Sequence, residues 1–382
     1  MQFKNVIGQK PIKDYLKKTV ASGKLSHAQL FIGPEGSGVL PIAIAYAREI
    51  LCASAKDAES CNLKFDSLSH PDLHFVYPVA NNDKVKSHAV SKLFLTEWRE
   101  LLKEQPYCNL FDWHRKLGVE KKQAQIGVDE AHDIVKALSL KSYEGGFKVM
   151  IIWMAEKMNT ASANKLLKLL EEPPNKTIFI LIAEDEEQLL KTIVSRCQRL
   201  HFSALAENDI KKALIDKFGI PELEATKIAH QANGNFNKAC DLVYQDSEDL
   251  HFEEWFIAWV RAAFKAKGNK GAVRELIAWG DEIAKTGRET QKQFLKFCLE
   301  VFRQAMLLNY KADTLVYFEP KQKGFDLKKF APFVHDANIL EISDTLQDAI
   351  YHIERNGNAR LVLTDVSIKL TRLLHKKSQA TA

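Results

Sequence analysis

The chain has 382 residues, 46% of them hydrophobic and 27% charged, and 54 Lys and Arg against 49 Asp and Glu give a formal net charge of +5. At about 150 residues per domain, this length predicts two or three domains with a sizeable core and argues against a disordered or disulfide-stapled chain. Six scattered cysteines favour a reducing cytoplasm over a secreted disulfide framework, and no apolar run suits a signal peptide or membrane span. A protein that holds nucleic acid by itself would usually be more basic.

The first half of the chain alternates strand and helix patterns. Four short apolar runs predict strands at 28–33, 72–79, 148–153 and 177–183. The stretch 159–172 carries its apolar residues on one helical face and is stopped by Pro173 and Pro174, with Asn159 or Thr160 as the cap. The alternation predicts a parallel α/β sheet.

After about Ala204 the sequence reads as a series of amphipathic helices, interrupted at 233–237 and 268–271. In one of them the aromatic residues between Phe252 and Phe264 recur at helical spacing. Such a stripe could stack nucleic-acid bases. Because the same spacing is what a buried helix face needs, core packing is the favoured interpretation.

A glycine-rich segment follows the first predicted strand. Gly33 and Gly38, with Gly36 between them, have the spacing of a phosphate-binding loop, but Val39 and Leu40 stand where that loop needs Lys and Ser or Thr. The missing amine would reach the β- and γ-phosphates, and the missing hydroxyl would hold magnesium. We therefore predict that the segment is a tight strand-to-helix turn that binds no ATP productively.

The strand at 148–153 shows the same loss of polar groups. In an ATPase of this layout it would lead into Asp-Glu, which hold magnesium and activate water, whereas here it leads into Trp153-Met154. Four polar groups that phosphoryl transfer uses are thus absent from the two motifs. The sequence predicts no ATP hydrolysis by this chain.

The residues around these motifs resemble the bacterial clamp-loader subunits of DNA polymerase III, in the AAA+ superfamily. The matching segments, in order, lie at 3–9, 23–28, 30–34, 155–159, 163–174, 189–198 and 352–361. The resemblance is strong over about residues 1–51 and 124–205 and weaker over the helical remainder. It implies a RecA-like α/β domain, a helical lid and a helical collar domain.

Within that family the gamma/tau motors need both nucleotide motifs intact, whereas delta prime members often lose them and keep Ser-Arg-Cys. This chain has Ser195-Arg196-Cys197, so it resembles the delta prime members. The resemblance implies that Arg196 is an arginine finger acting in trans on the ATP of a neighbouring motor, with Ser195 and Cys197 positioning its loop. Taken alone, the tripeptide is a weak motif, and an isolated arginine is more often a solvated surface group.

Two further positions depart from the motor pattern. Ile182-Ala183 stand where a clamp-loader ATPase usually has a polar sensor, and Lys238 stands where its lid offers a sensing arginine. Lysine keeps the charge but lacks the planar fork of arginine. Both departures favour a subunit without its own nucleotide.

In many relatives, four cysteines spaced C-x₈-C-x₂-C-x₂-C bind zinc before a His-Pro-Asp. Cys52 and Cys61 keep the first two positions, but Lys64 and Ser67 replace the others. Two thiolates do not close a structural zinc site. Replacement ligands would be His70 or His74, but the favoured prediction is a metal-free excursion, with Cys52 and Cys61 as relics, held together by hydrophobic packing.

The segment 81–122 is basic and aromatic, and it has no counterpart in the motif pattern. Contact with a partner or with DNA is one interpretation. A small helical decoration is the favoured one.

The resemblance implies a chain divided into a RecA-like AAA+ domain (1–204), a helical lid (205–248) and a helical collar for oligomerisation (249–382). It further implies a non-catalytic, cytoplasmic component of the DNA-directed DNA polymerase III holoenzyme. Its partners would be gamma/tau, delta, the sliding clamp and primed DNA. ATP and magnesium would be bound by the neighbouring motor and not by this chain, and no membrane contact is expected. The alternatives are an active gamma/tau-like ATPase and a stand-alone DNA-binding protein.

Overall fold

The computed structural model describes residues 1–53, 55, 57–144, 146–244 and 247–377. Parts of three predicted features lie outside these residues: 54 and 56 in the cysteine excursion, 245 and 246 at the predicted lid boundary, and the tail from 378. The chain divides into two compact units, 1–119 with 124–243 and 120–123 with 244–382. The predicted lid shares the first unit with the α/β domain, so the three-domain division stays a prediction.

Five parallel strands form the sheet of the first unit: β1 (Ala28–Ile32), β2 (Leu73–Val76), β3 (Lys148–Ile152), β4 (Thr177–Ala183) and β5 (Gln198–His201). Their order is β2-β3-β4-β1-β5. The predicted parallel α/β sheet is confirmed. β5 was not predicted, because this edge strand is mostly exposed and polar.

The helices of the first unit are α1 (Lys10–Ala21), α2 (Val39–Cys52), α3 (Ala58–Asp66), α4 (Leu95–Glu104), α5 (Leu110–Leu117), α6 (Val128–Ser139), α7 (Thr160–Glu171), α8 (Lys191–Val194), α9 (Glu207–Phe218), α10 (Glu222–Ala232) and α11 (Phe236–Tyr244). The predicted cap of α7 is confirmed, since the Asn159 side chain accepts a hydrogen bond from the backbone N–H of Ser162 at 2.8 Å.

The sheet is covered on both faces. Along β4, Ile178 and Ile180 face the larger hydrophobic cluster, while Phe179 and Leu181 between them face a second cluster built with α6 and α7. Alternate residues of a strand point to opposite faces, so a run that is apolar throughout is what a doubly covered parallel strand requires.

The second unit is helical in its described part: α12 (Ser247–Lys265), α13 (Lys270–Ala284), α14 (Arg288–Asn309), α15 (Leu327–Phe330), α16 (Asp336–Glu354) and α17 (Ala359–Leu373). The aromatic stripe of α12 lies in its core, where Trp259 stacks on Trp279 with ring centroids 4.8 Å apart. The predicted core role is confirmed. Among the described residues, no helix combines the length and apolar character that crossing a membrane would take.

Candidate functional site: a filled phosphate-loop pocket and an exposed arginine

The carboxyl ends of β1, β3 and β4 meet at one edge of the sheet, where open α/β sheets bind their ligands. The glycine-rich loop leaves β1 there and enters α2 through Gly38, which has a left-handed φ of 90°. The loop folds on itself, because the Ser37 hydroxyl donates to the carbonyl of Pro34 at 2.6 Å. Val39 and Leu40 are 6% and 5% exposed, so they pack inward as core residues.

The cavity left beside this loop has a volume of about 40 Å³. That is room for about three water molecules and far too little for a nucleotide. Its walls come from the loop, from Pro106 and Tyr107 of the 81–122 segment, and from the ends of β3 and β4. The charged side chains among its described lining residues are the carboxylates Glu35 and Glu184, which would repel a phosphate.

The end of β3 is occupied by aromatic packing. Trp153 is 3% exposed, and its ring centroid lies 5.1 Å from that of Trp98 in α4. Met154, also buried, has a left-handed φ of 55°. The two positions that hold magnesium in an ATPase of this layout are therefore buried apolar side chains, and the first of them packs against the 81–122 segment.

Glu156 is an acid at this edge that the sequence analysis passed over. It lies in the turn after β3 and accepts a hydrogen bond from the backbone N–H of Glu184 at 3.2 Å. Burial, with a smaller contribution from the Glu184 carboxylate, raises the pKa of Glu156 to about 7. Close to neutral pH this carboxyl therefore carries only part of a negative charge.

The two predicted sensor positions differ in their placement. Ile182 and Ala183 line the cavity, where they add only apolar surface. Lys238 is half-buried near the start of α11, where its backbone N–H donates to the Asn235 side chain at 3.0 Å. It is absent from the described lining of the cavity.

The segment 81–122 is more than a surface decoration. Its helices α4 and α5 bury Trp98 and Trp113 completely, and Tyr107 between them is 7% exposed. Trp98 stacks on Tyr77 at 4.2 Å, next to the end of β2. The predicted helical character is thus found, but the segment forms part of the core beside the pocket.

The basic residues of this segment are largely neutralised within the chain. Four of its lysines form ion pairs with described residues: Lys84 with Glu97 at 2.9 Å, Lys86 with Asp83 at 3.1 Å, Lys92 with Asp133 at 2.5 Å, and Lys116 with Glu100 at 3.1 Å and Glu104 at 3.6 Å. A surface that binds a phosphate backbone needs charges left to pair with it. These pairs weaken the interpretation of the segment as a DNA-binding patch.

Arg196 lies in the turn between α8 and β5, with its side chain 36% exposed. Its Nη2 pairs with Glu171 Oε1 at 2.5 Å, and its Nη1 donates to the carbonyl of Thr192 at 2.9 Å. The Ser195 hydroxyl donates to the same carbonyl at 3.2 Å. Cys197 is half-buried, and burial raises the pKa of its thiol to about 11. Of the three residues, Arg196 is the one whose side chain carries a charge at the surface.

The prediction that Cys52 and Cys61 are relics in an excursion held by hydrophobic packing is incomplete, because the two cysteines form a disulfide. Cys52, at the end of α2, is bonded to Cys61 in α3, and their Cα atoms are 5.7 Å apart. The reason is that α2 and α3 pack closely, which brings the two side chains within bonding distance. The excursion is thus held by a covalent link as well as by hydrophobic packing.

A charged cluster lies beside the disulfide. Lys64, which stands at the third cysteine position of zinc-binding relatives, pairs with Glu144 at 2.5 Å, and His70 Nε2 is 3.5 Å from the other Glu144 oxygen. Cys61, His70 and Glu144 offer ligand atoms within 4.8 Å of one another. The Cys61 sulfur is already part of the disulfide, and the Glu144 carboxylate is already paired with Lys64. A metal-free excursion therefore stays our prediction.

Residues 8–206 match the family model described as DNA polymerase III, delta subunit. The chain belongs to that family. The curated relatives include the delta prime subunit of Bacillus subtilis, 31% identical over 242 residues, which are 62% of this chain and 60% of that protein. The delta prime subunit of Haemophilus influenzae is 30% identical over 49% of this chain and 46% of its own length. The resemblance to delta prime clamp-loader subunits is thereby confirmed.

The family relationship extends to the motor subunits. The tau subunit of Bacillus subtilis is 26% identical over 64% of this chain and 37% of its own length. The chain thus spans at most 60% of the length of these three relatives. Among solved structures, a DNA polymerase III gamma subunit-related protein from Thermotoga maritima is 16% identical, with a TM-score of 0.36 over 95% of this chain and 99% of that one.

Several polar residues of this delta prime family member were missed from sequence. Glu35, Asn109, Asp112, Asn235 and Asn237 form a hydrogen-bonded group at the filled pocket. Each reads locally as an ordinary turn or cap residue. Only the tertiary fold shows that they meet, since apart from Asn109 and Asp112 the members of each bonded pair are at least 74 residues apart.

Proposed function

We propose that this chain is a non-catalytic clamp-loader subunit that supplies Arg196 in trans to the ATP site of a neighbouring gamma/tau motor. The observation that carries the proposal is a contrast within one domain. The pocket of the chain's own phosphate loop has about 40 Å³ of space and two carboxylates in its wall, while Arg196 presents an exposed guanidinium next to β5.

The chemistry of such an arginine is electrostatic. As the γ-phosphoryl group transfers, charge builds on its oxygens, and a planar guanidinium can donate two hydrogen bonds to them. Fingers of this kind are worth about 10³ to 10⁵ in rate in GTPases. This chain would thus contribute to ATP hydrolysis without binding ATP, as part of an assembly with gamma/tau and delta that loads the sliding clamp on primed DNA.

The test is reconstitution with gamma/tau, delta, the clamp and primed DNA. The Arg196→Ala chain should assemble normally. The clamp-stimulated ATPase rate of the complex should fall by the fraction that the ATP site next to this chain contributes. The matched control is Arg199→Ala, an equally charged residue in β5 whose side chain is 54% exposed. An unchanged rate in an assembled Arg196→Ala complex would overturn the finger assignment.

Two measurements on the chain alone address the alternatives. A labelled ATP analogue should not bind, and micromolar binding with magnesium-dependent turnover would instead support an active ATPase. Tight, salt-dependent DNA binding without any association with gamma/tau would support a stand-alone DNA-binding protein.

A further inference from the structure

The phosphate-loop pocket is filled by a side chain that touches three separate parts of the first unit. The Tyr107 hydroxyl accepts a hydrogen bond from the backbone N–H of Ile7 at 2.8 Å. Its ring lies beside the start of α2, where a Cβ on Gly38 would come 3.1 Å from it. The ring also packs edge-on against Phe236 of α11, with centroids 4.9 Å apart. One tyrosine therefore joins the N-terminal segment, the loop and the helical 205–243 region.

A second set of contacts runs through Glu35 of the loop. Its Oε1 accepts hydrogen bonds from Asn109 Nδ2 at 2.9 Å and from Asn235 Nδ2 at 3.1 Å. The backbone N–H of Phe236 also donates to the carbonyl of Gly36 at 3.1 Å. The fit leaves no spare room, since a Cβ on Gly36 would lie 1.9 Å from the Asn235 side chain.

A third contact ties the 81–122 segment directly to α11. Asp112 is 5% exposed, and its Oδ2 accepts from the backbone N–H of Asn109 at 2.9 Å and from Asn237 Nδ2 at 2.8 Å. Asn237 is itself 2% exposed. A buried carboxylate that loses a donor keeps its desolvation cost, so this bond strongly favours one placement of α11.

We propose that the 81–122 segment is a built-in occupant of the phosphate-loop pocket, which holds the 205–243 helices on the α/β domain without nucleotide. In proteins that close around a bound ligand, contacts from the ligand to both parts set the closed position. Here Tyr107 contacts both parts, through its ring against Phe236 of α11 and through its hydroxyl on the backbone N–H of Ile7. Since this occupant is part of the chain, the contacts that hold α9 to α11 in place need no ATP.

This inference goes beyond the trans-acting arginine and does not depend on it. It assigns a role to the segment that separates this chain from the shared motif pattern.

The test is hydrogen exchange of the full chain, followed by mass spectrometry, with and without magnesium-ATP. In the wild type, exchange of amides in α9, α10 and α11 should be the same in both conditions. In Tyr107→Ala those amides should exchange about tenfold faster or more, while β3 and β4 stay protected. Tyr143→Ala is the matched control, because that side chain is 76% exposed.

Glu35→Ala is a second variant, which should fold normally even if Tyr107→Ala does not, since Glu35 is only half-buried and its loss opens no core cavity. It should speed exchange in α9 to α11 in the same direction as Tyr107→Ala. The proposal is overturned if exchange there is unchanged in Glu35→Ala, or if ATP alters it in the wild type. Because no neighbouring ATPase is present, neither outcome bears on Arg196.

Discussion

Arg196 and Glu171 form an ion pair within the chain, with 2.5 Å between Nη2 and Oε1. Both side chains are partly exposed, at 36% and 45%. If Arg196 acts on a neighbour's ATP, its guanidinium must exchange the Glu171 carboxylate for phosphate oxygens. Breaking this ion pair before Arg196 binds phosphate therefore costs little free energy, because exposed ion pairs contribute about 0.2–1 kcal/mol.

We predict that Glu171→Gln raises the clamp-stimulated ATPase rate of the reconstituted complex, by no more than about fivefold. Removing the carboxylate frees Arg196 without changing the size of its partner. The measurement is the ATPase rate at limiting concentrations of this chain. Glu172→Gln, an exposed neighbour, is the control and should have no effect. A fall comparable to that of Arg196→Ala would mean that Glu171 holds the arginine in its working position.

A second prediction concerns the buried carboxyl of Glu130 in α6. It accepts a hydrogen bond from the backbone N–H of Ser91 at 2.6 Å, and burial raises its pKa to about 7, with Asp133 adding to the shift and Lys92 opposing it. A carboxyl with a raised pKa holds its proton more firmly in the folded state. Stability should therefore fall as the pH rises from about 4.5 through 7.

Glu130→Gln should remove this loss of stability at high pH, because glutamine does not ionise. At pH 5 the variant and the wild type should have similar thermal midpoints, while at pH 8 the variant should be more stable, by at most about 3 kcal/mol. The measurement is the thermal midpoint across that pH range, with Glu156→Gln made separately because its pKa is also raised to about 7. A wild-type advantage at pH 8 that disappears at pH 5 would contradict the assignment.

The sheet and the pocket differ in how far the sequence predicts them. β1, β3 and β4 were predicted because they are buried on both faces and read as unbroken apolar runs. β5 was missed because Leu200 alone of its four residues is buried. The occupant of the pocket was unpredictable, since Tyr107 lies outside the short segments that resemble clamp-loader subunits and its bonding partner Ile7 is 100 residues away.

A third prediction concerns the disulfide between Cys52 and Cys61. It joins two cysteines that are nine positions apart, and the chain-entropy relation for a loop of that size gives a stabilisation of about 2.5 kcal/mol. Adding a reductant should lower the thermal midpoint of the wild type. It should leave the Cys52→Ser, Cys61→Ser double variant unchanged. The prediction would be contradicted if the thermal midpoint of the wild type did not change with reductant although the mass of the protein showed that Cys52 and Cys61 were reduced.

The final prediction concerns two possible reasons why the phosphate loop would not bind ATP: the missing Lys and Ser or Thr, and the side chains that fill the pocket. Replacing Val39 and Leu40 by Lys and Thr restores the residues that bind phosphate and magnesium. We nevertheless expect no binding of an ATP analogue up to about 1 mM, because Tyr107 and Trp153 still fill the pocket. The thermal midpoint should fall as well, since both substituted positions are buried.

Adding Tyr107→Ala to this double variant should open the space and allow measurable binding of the analogue, while Tyr107→Ala alone should not bind because the lysine is missing. Measuring the four chains together by fluorescence titration thus distinguishes the two causes. Micromolar binding by the Val39→Lys, Leu40→Thr variant with Tyr107 intact would show that the segment yields to a ligand. The occupant would then be displaceable, and the placement of α9 to α11 would depend on nucleotide after all.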